Sequence, residues 1–538
     1  MSNTATPETN VVDTLQSLTI AFALAMSVRS FVTEGFVIPT GSMAPTLLGA
    51  HLRWQSPQTG YSYPMDSQPV IDGAMARQAP NWGLIDPMLN TNHGIATAST
   101  RDLLTQIRMG DRVLVLKFLY SFQEPQRWDV VVFKNPTDPV GDTQNYIKRL
   151  VGLPNEQLLL IDGDVWTAPL GAPLKEFKIQ RKPEYVQRAV WRNVHDSDYI
   201  PMEPANLAQV TKGQFKYDGP PWKGDGWDTS GRAYRHDSAS PATLRWDWHT
   251  IAINDFTAYN ALCAVPFFFA VSDVRVAAAV EADDPAALST ELQLGARAHL
   301  FVWMIKDGKL TMSIRHSESG ELVNSSVTAI ALPQRGQACD LEFWHVDQRM
   351  SAWLNGVEIA HLDYDNWTPE DRVVFSHVGS TLETYRAQPT NSQNVTPPTL
   401  GWTFGGSPVT LHRVRVDRDL YYRPEIASAT NQLASNGPPI DGLAFGTDMD
   451  HPAELKADQF LMLGDNSARS RDGRLWGRPH PIVTEQLGEA APFIVPRELL
   501  LGKAYCVYFP SPLPNPLSGA GSDGRKIIPD FGSLRFIR

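Results

Sequence analysis

The sequence predicts a mostly β chain with one N-terminal transmembrane helix and a β-sandwich in its middle. Three observations lead there. Short runs rich in Val, Ile and aromatic residues, bounded by Gly, Pro and Asp, recur from Gly110 onward, as buried strands require. The dipeptides Asp307-Gly308 and Asn355-Gly356 each separate two apolar runs. Both accept positive φ and so specify two-residue hairpins. Residues 11–28, VVDTLQSLTIAFALAMSV, form the most apolar stretch near the N-terminus.

Taken in order, a tail (1–10) precedes the anchor (11–30). At roughly 1.5 Å per residue, residues 11–28 span about 27 Å, close to the hydrocarbon thickness of about 30 Å. Asp13 and Gln16 dilute the stretch, and the tail before it holds no Lys or Arg, so flanking charge sets no orientation. Ala25-Met26-Ser27 is also a small-x-small site of the kind that ends a removed export signal. The missing basic flank favours an uncleaved anchor.

Between Leu47 and Gly110 the chain is rich in Pro, Gly, Asn and Gln without clear periodicity, which predicts an irregular insertion over 51–108. Gly110–Val115 and Trp128–Lys134 read as strands. From 191 to 455 the alternating runs Phe301–Ile305, Leu310–Ile314, Met350–Leu354, Val357–Ile359 and Val409–Val416 predict a sandwich with flanking linkers. With the phrase Trp353-Leu354-Asn355-Gly356, this segment resembles a laminin-G or concanavalin-like domain. Such domains often bind glycans or proteins, and a spacer role stays equally open because fold does not establish function. Trp303, Trp344 and Trp353 are expected in the core or rim, not as sugar platforms.

Composition narrows the function. A chain of 538 residues should divide into two to four domains. With 42% hydrophobic and 20% charged residues it can bury several cores. Its net charge is −11 without a Lys/Arg run, which excludes nucleic acid as an expected partner. Cys263, Cys339 and Cys506 are odd in number and far apart, which argues against a disulfide framework and a thiolate metal site. Cys263 with Cys339 is the only candidate bridge. Neither a metal nor a cofactor is expected.

Three segments carry chemistry. Ser42 lies in Ile38-Pro39-Thr40-Gly41-Ser42-Met43-Ala44-Pro45-Thr46, directly after the apolar stretch, and Lys148 in Asn145-Tyr146-Ile147-Lys148-Arg149-Leu150-Val151-Gly152-Leu153-Pro154. The third is Gly464-Asp465-Asn466-Ser467-Ala468-Arg469-Ser470-Arg471-Asp472-Gly473-Arg474-Leu475-Trp476-Gly477. In this order they resemble the nucleophile, lysine and Gly-Asp-Asn boxes of bacterial type I signal peptidases. Asp458–Leu463 leads into the third box, and Leu501–Pro510 resembles the family's closing strand. The resemblance therefore implies a discontinuous, mostly β catalytic domain, with a first part at 31–190 and a second at 456–538. Some family members, notably planctomycete-like ones, carry paired cysteines in the first insertion as a zinc module. Here Ser56–Gly60 and Ala79–Gly83 offer no thiolate, so zinc is not expected.

A serine hydroxyl is a poor nucleophile until a base takes its proton, and no histidine sits in any box. Lysine can act as that base only when neutral, so burial must lower its ordinary pKa of about 10.4. Tyr146, Ile147, Phe133 and Met43 are candidates for the apolar wall. The resemblance implies Ser42 as nucleophile, Lys148 as base, and the Ser42 amide with the Thr40 hydroxyl as oxyanion donors. The family usually carries Ser or Gly where this chain has Thr40. By the same resemblance Ser470 orients the lysine, Asp472 and Arg474 brace the loop as an ion pair, Tyr146 supports the base, and Asp465 and Asn466 shape the turn. Phe36, Ile38, Met43, Leu47 and Ile147 match positions lining the substrate pocket.

The implied function is removal of N-terminal signal peptides from secretory preproteins after Ala-x-Ala-like sites. The implied location is the cell (inner) membrane, single-pass, in contact with lipid and with the catalytic domain on the extracytoplasmic side. Two rivals remain open. One is a self-cleaving regulator with the same Ser-Lys chemistry, against which the anchor and the lack of a DNA-binding segment count. The other is a catalytically silent, membrane-tethered binding protein that uses the sandwich.

Overall fold

The computed structural model describes residues 11–27, 32–76, 81–137, 145–204, 206–207, 217–265, 267–331, 335–377, 379, 381–428, 440–513 and 528–538. The tail 1–10, residues 28–30 of the expected anchor and parts of the linkers flanking the sandwich lie outside the described residues.

Strands from both ends of the chain interleave in one eight-stranded sheet. Its order is Thr33–Val37, Arg112–Leu116, Leu500–Phe509, Val130–Lys134, Asn145–Gly152, Gln459–Leu463 and Val495–Pro496, with Arg535–Phe536 paired to Leu500–Phe509. The β-branched run Val130-Val131-Val132-Phe133 is buried on both faces, which explains its unbroken apolarity. Beside this sheet, Lys178–Ile179, Asp164–Pro169, Glu156–Ile161 and Ala453–Leu455 form a four-stranded antiparallel sheet.

The middle of the chain folds into two seven-stranded sheets. One holds Arg192–Asp196, Val409–Arg418, Val274–Ala282, Cys339–Val346, Arg349–Leu354 and Val357–Asp363, with Tyr234–His236 on Val409–Arg418. The other runs Trp222–Lys223, Ala242–Trp246, Thr399–Gly405, Ser289–Ala296, His299–Lys306, Lys309–His316 and Leu322–Ala329. Their facing sides alternate inward, as in His299–Lys306, where His299, Phe301, Trp303 and Ile305 are buried and the residues between them are not, and bury Trp303, Phe343, Met312 and Trp402 in one core. Both hairpin dipeptides adopt the left-handed conformation, with φ of 51° and 68° at Asp307-Gly308 and 50° and 78° at Asn355-Gly356. Trp303 lies in that core. Trp344 and Trp353 stack on each other at 4.5 Å, with the Arg188 guanidinium over both rings.

Two expectations fail. The segment 51–108 is not irregular: His51–Gln55 pairs with Ser62–Asp66, Asn81–Asp86 pairs with Asn90–Ser99, and the helices Gln68–Met75 and Thr100–Leu104 pack beside them. Its small core of Leu52, Tyr63, Met65, Val70, Leu84 and Leu103 is closed by Leu262, 159 or more positions away, so local periodicity is a weak signal there. The candidate bridge is absent, and all three cysteines are free. Cys339 is buried on a sandwich strand, whereas Cys263 lies with its Sγ 3.7 Å from Asp66.

Near the N-terminus, Val11–Ser27 is a 17-residue helix without a buried residue. No helix among the described residues is long and apolar enough to cross a membrane.

Candidate active site

Ser42 sits in the single 3₁₀ turn Gly41–Met43, entered from extended backbone at Thr40. The turn is anchored from below. Met43 is fully buried among Ile38, Leu47, Val113, Val130, Val132 and Ile147, so the side chain next to the serine is held in the core of the eight-stranded sheet. Lys148 reaches the serine from the strand Asn145–Gly152, where it pairs with Val131. Its Nζ donates to Ser42 Oγ at 2.5 Å and to Ile147 O at 3.3 Å.

The lysine is 3% exposed. Burial pulls its ammonium down to about 8, against the opposing pull of the Asp472 and Asp465 carboxylates. Tyr146, two residues earlier and so on the same strand face, places its ring 5.3 Å from Nζ. That ring packs edge-on against Phe133 and Trp476, which completes an apolar wall.

The Gly464–Gly477 loop closes the other side. Arg474 and Asp472 form a fully buried pair, Nε to Oδ1 at 2.9 Å and Nη2 to Oδ2 at 3.0 Å, and Asp472 Oδ2 also accepts from the Gly464 amide. Asp465 does more than shape a turn. It accepts two bonds from Arg149, at 2.8 and 2.7 Å, with both side chains fully buried. Asn466 holds the nucleophile turn directly: its amide N–H donates to Ser42 O at 3.0 Å and its Nδ2 to Gly41 O at 3.1 Å.

A cavity of about 650 Å³ opens over the serine and lysine. Thr40, Ser42, Tyr146, Ile147 and Lys148 line one side. The other side comes from Asp66, Ser67, Gln68 and Asp72 of the 51–108 segment and from Arg469 and Arg471. Sequence reading gave none of these six a role: Arg469 and Arg471 lie inside the third box without one, and nothing in the local pattern of Asp66, Ser67, Gln68 and Asp72 ties them to Ser42.

The expected pocket residues divide. Ile147 lines the cavity, but Ile38, Met43 and Leu47 are buried core and Phe36 packs against that core. Ile38, Met43 and Leu47 lie on the irregular chain around the Gly41–Met43 turn, which wraps over the sheet and sends these apolar side chains inward beneath the serine. Ser470 also departs from expectation. Its Oγ is buried and makes no hydrogen bond in this structure, to Lys148 Nζ or to any other group. The Ser470 amide is tied to Asn466 O at 2.8 Å, and its hydroxyl is packed against Gly464, where an added Cβ would meet Oγ at 2.1 Å.

Among the described residues, one group has the makings of a metal site: the buried carboxylates of Asp164, Asp273, Asp347 and Asp419, within 4.8 Å of one another. Protein cations already serve it. Lys182 Nζ lies 2.6 Å from Asp347 and 2.9 Å from Asp419, and Arg372 bonds Asp164.

Comparison with known proteins decides the family. The family described as "Signal peptidase, peptidase S26" matches residues 93–214, a span that includes Lys148. Signal peptidase I of Leptolyngbya laminosa is 32% identical over 139 residues, which cover 24% of this chain and 67% of that protein. The chain belongs to the signal peptidase I family. Its likeness to other signal peptidase I sequences is more partial. The Rickettsia typhi protein is 28% identical over 30% of this chain and 46% of its own length. The probable signal peptidase I-2 of Synechocystis is 24% identical over 36% of this chain and 61% of its own length.

Solved structures similar to this signal peptidase I family member include Caenorhabditis elegans galectin LEC-6, at 14% identity over 27% of this chain and 83% of that one, with a TM-score of 0.19. Another is the carbohydrate-binding module CBM66 from Bacillus subtilis, at 9% identity over 37% and 97%, with a TM-score of 0.22.

Proposed function

We propose that this protein is a membrane-bound serine endopeptidase that removes signal peptides from exported preproteins through Ser42 and Lys148. One observation carries the reading: Lys148 Nζ lies 2.5 Å from Ser42 Oγ, with the amine buried and its pKa lowered to about 8. At that value an appreciable fraction is neutral near pH 7.5, which a general base requires.

Neutral Lys148 takes the Ser42 proton as Oγ attacks the scissile carbonyl. The Ser42 amide and the hydroxyl of Thr40, a residue that lines the cavity and whose side chain caps no backbone amide, are the donors for the developing oxyanion. Collapse breaks the peptide C–N bond, and the Lys148 ammonium returns its proton to the leaving amine. A water then enters and attacks the ester carbonyl as Lys148 takes its proton; the C–Oγ bond breaks, the acid is released, and Lys148 returns the proton to Ser42 Oγ. Asp472 with Arg474 and Asp465 with Arg149 keep the loop rigid.

Membrane tethering belongs to the same reading. The helix Val11–Ser27 exposes Leu18, Ile20, Phe22 and Leu24 with no protein partner for them in its buried set, and Phe531, Leu534 and Phe536 are likewise exposed near the Leu500–Phe509 strand. Lipid is a physically reasonable cover for such side chains. We place the peptidase on the extracytoplasmic side of the inner membrane. A glycan or protein ligand for the sandwich stays outside this reading, since Trp303, Trp344 and Trp353 are all buried.

The test is cleavage of an Ala-x-Ala preprotein by detergent-solubilised wild type, Ser42→Ala and Lys148→Ala chains. Cleavage by the wild type alone supports the reading, and no cleavage by folded wild type overturns it. A bulky residue immediately before the cut should abolish processing.

A further inference from the structure

We propose that the inserted sandwich region supplies positioning residues for the nucleophile, Asn260 and Tyr259, and is therefore part of the peptidase's working frame and not a separable module. The inference rests on the Ser-Lys reading for its catalytic consequence, though not for its structural one.

The 3₁₀ turn Ala258–Asn260 lies between the sandwich strands Ala242–Trp246 and Val274–Ala282. It leaves the sandwich and packs beside the strand Ser62–Asp66, where Leu262 joins the core of the 51–108 segment. From there Asn260 meets Asn466 in a reciprocal amide pair. Asn260 Nδ2 donates to Asn466 Oδ1 at 2.8 Å, and Asn466 Nδ2 donates to Asn260 Oδ1 at 3.0 Å. Asn466 is the residue whose amide and Nδ2 hold Ser42 O and Gly41 O. Asn260 thus fixes the rotamer that presents two donors to consecutive carbonyls of the nucleophile turn.

Tyr259 acts by shape. Its ring lies flush on Gly41, so that a Cβ added there would meet Cε1 at 2.3 Å and Oη at 2.4 Å. Its hydroxyl is buried without a hydrogen-bond partner, an arrangement that costs stability, so the ring and not the hydroxyl is what this position uses. A third tie runs from the sandwich strand Arg192–Asp196, where Arg192 Nη2 donates to Thr46 Oγ1 at 2.9 Å. The turn carrying Ser42 is therefore gripped at Gly41, at Ser42 through Asn466, and at Thr46 by side chains from one region of the chain.

A shift of about 1 Å in a reacting group can lower a rate by about 100-fold. Asn260→Ala in the full detergent-solubilised chain should therefore lower kcat about 10- to 100-fold while KM changes less than about twofold. It should also speed amide hydrogen exchange in residues 40–47, with the sandwich unchanged. Gly41→Ala should lose activity, and Tyr259→Ala in the same chain should restore part of it. Unchanged kcat in Asn260→Ala, or activity of Gly41→Ala equal to wild type, overturns the proposal. If the unaltered chain cleaves nothing, the Ser-Lys reading falls, and exchange at 40–47 still decides this one: equal exchange in wild type and Asn260→Ala overturns it. Should Asn260→Ala fail to fold, the Gly41→Ala and Tyr259→Ala pair decides it alone.

Discussion

Arg149 and Asp465 lie 316 positions apart and meet in a bidentate, fully buried ion pair. Each neighbours a residue of the site in sequence, Lys148 on one side and Asn466 on the other. The pair therefore locks the strand that carries the base to the loop that holds the serine.

Removing one partner of a buried pair strands the other charge, at a cost of about 3–5 kcal/mol. Arg149→Ala should lower the melting temperature by many degrees and abolish cleavage with it. Arg149→Lys should recover only part of the stability, because an ammonium cannot reproduce the two parallel bonds. Thermal denaturation of the three chains checks both expectations.

The lysine sets the pH dependence. Only neutral Lys148 can accept the serine proton, and its pKa is near 8. The rate of cleavage should rise about tenfold per pH unit below that value and level off above it. A profile that is flat between pH 6 and 9 would exclude Lys148 as the base.

Stability should respond in the same window. Because the folded pKa lies below the ordinary value of 10.5, the unfolded chain binds more protons between about 8 and 10.5, and stability rises with pH there. Below pH 8 the buried ammonium costs the folded state on the order of 3 kcal/mol. Lys148→Met should therefore be inactive yet melt at a higher temperature than wild type at pH 7, as differential scanning calorimetry would register.

Met43 tests the division between core and pocket. It is fully buried in the cluster beneath Ser42. Met43→Ala should cost about 2–5 kcal/mol of stability and lower activity through loss of the folded turn. It should not admit larger residues before the cut, and a widened substrate preference in a fully folded variant would return Met43 to the pocket.

Much of this protein is written locally. The alternating runs around Asp307-Gly308 and Asn355-Gly356 contain their own hairpins, since strand periodicity and positive φ are properties of neighbouring residues. Ser42 and Lys148 are legible through the segments that carry them, Ile38–Thr46 and Asn145–Pro154, which resemble the nucleophile and lysine boxes of type I signal peptidases. Tertiary structure decided what depends on partners hundreds of positions away. It turned Ile38, Met43 and Leu47 inward, folded the 51–108 segment around a core closed by Leu262, left Ser470 Oγ unpaired, kept Cys263 apart from Cys339, and brought Asn260 to Asn466. Side-chain facing follows from sheet register and from which surfaces meet, and neither leaves a periodic mark in the sequence.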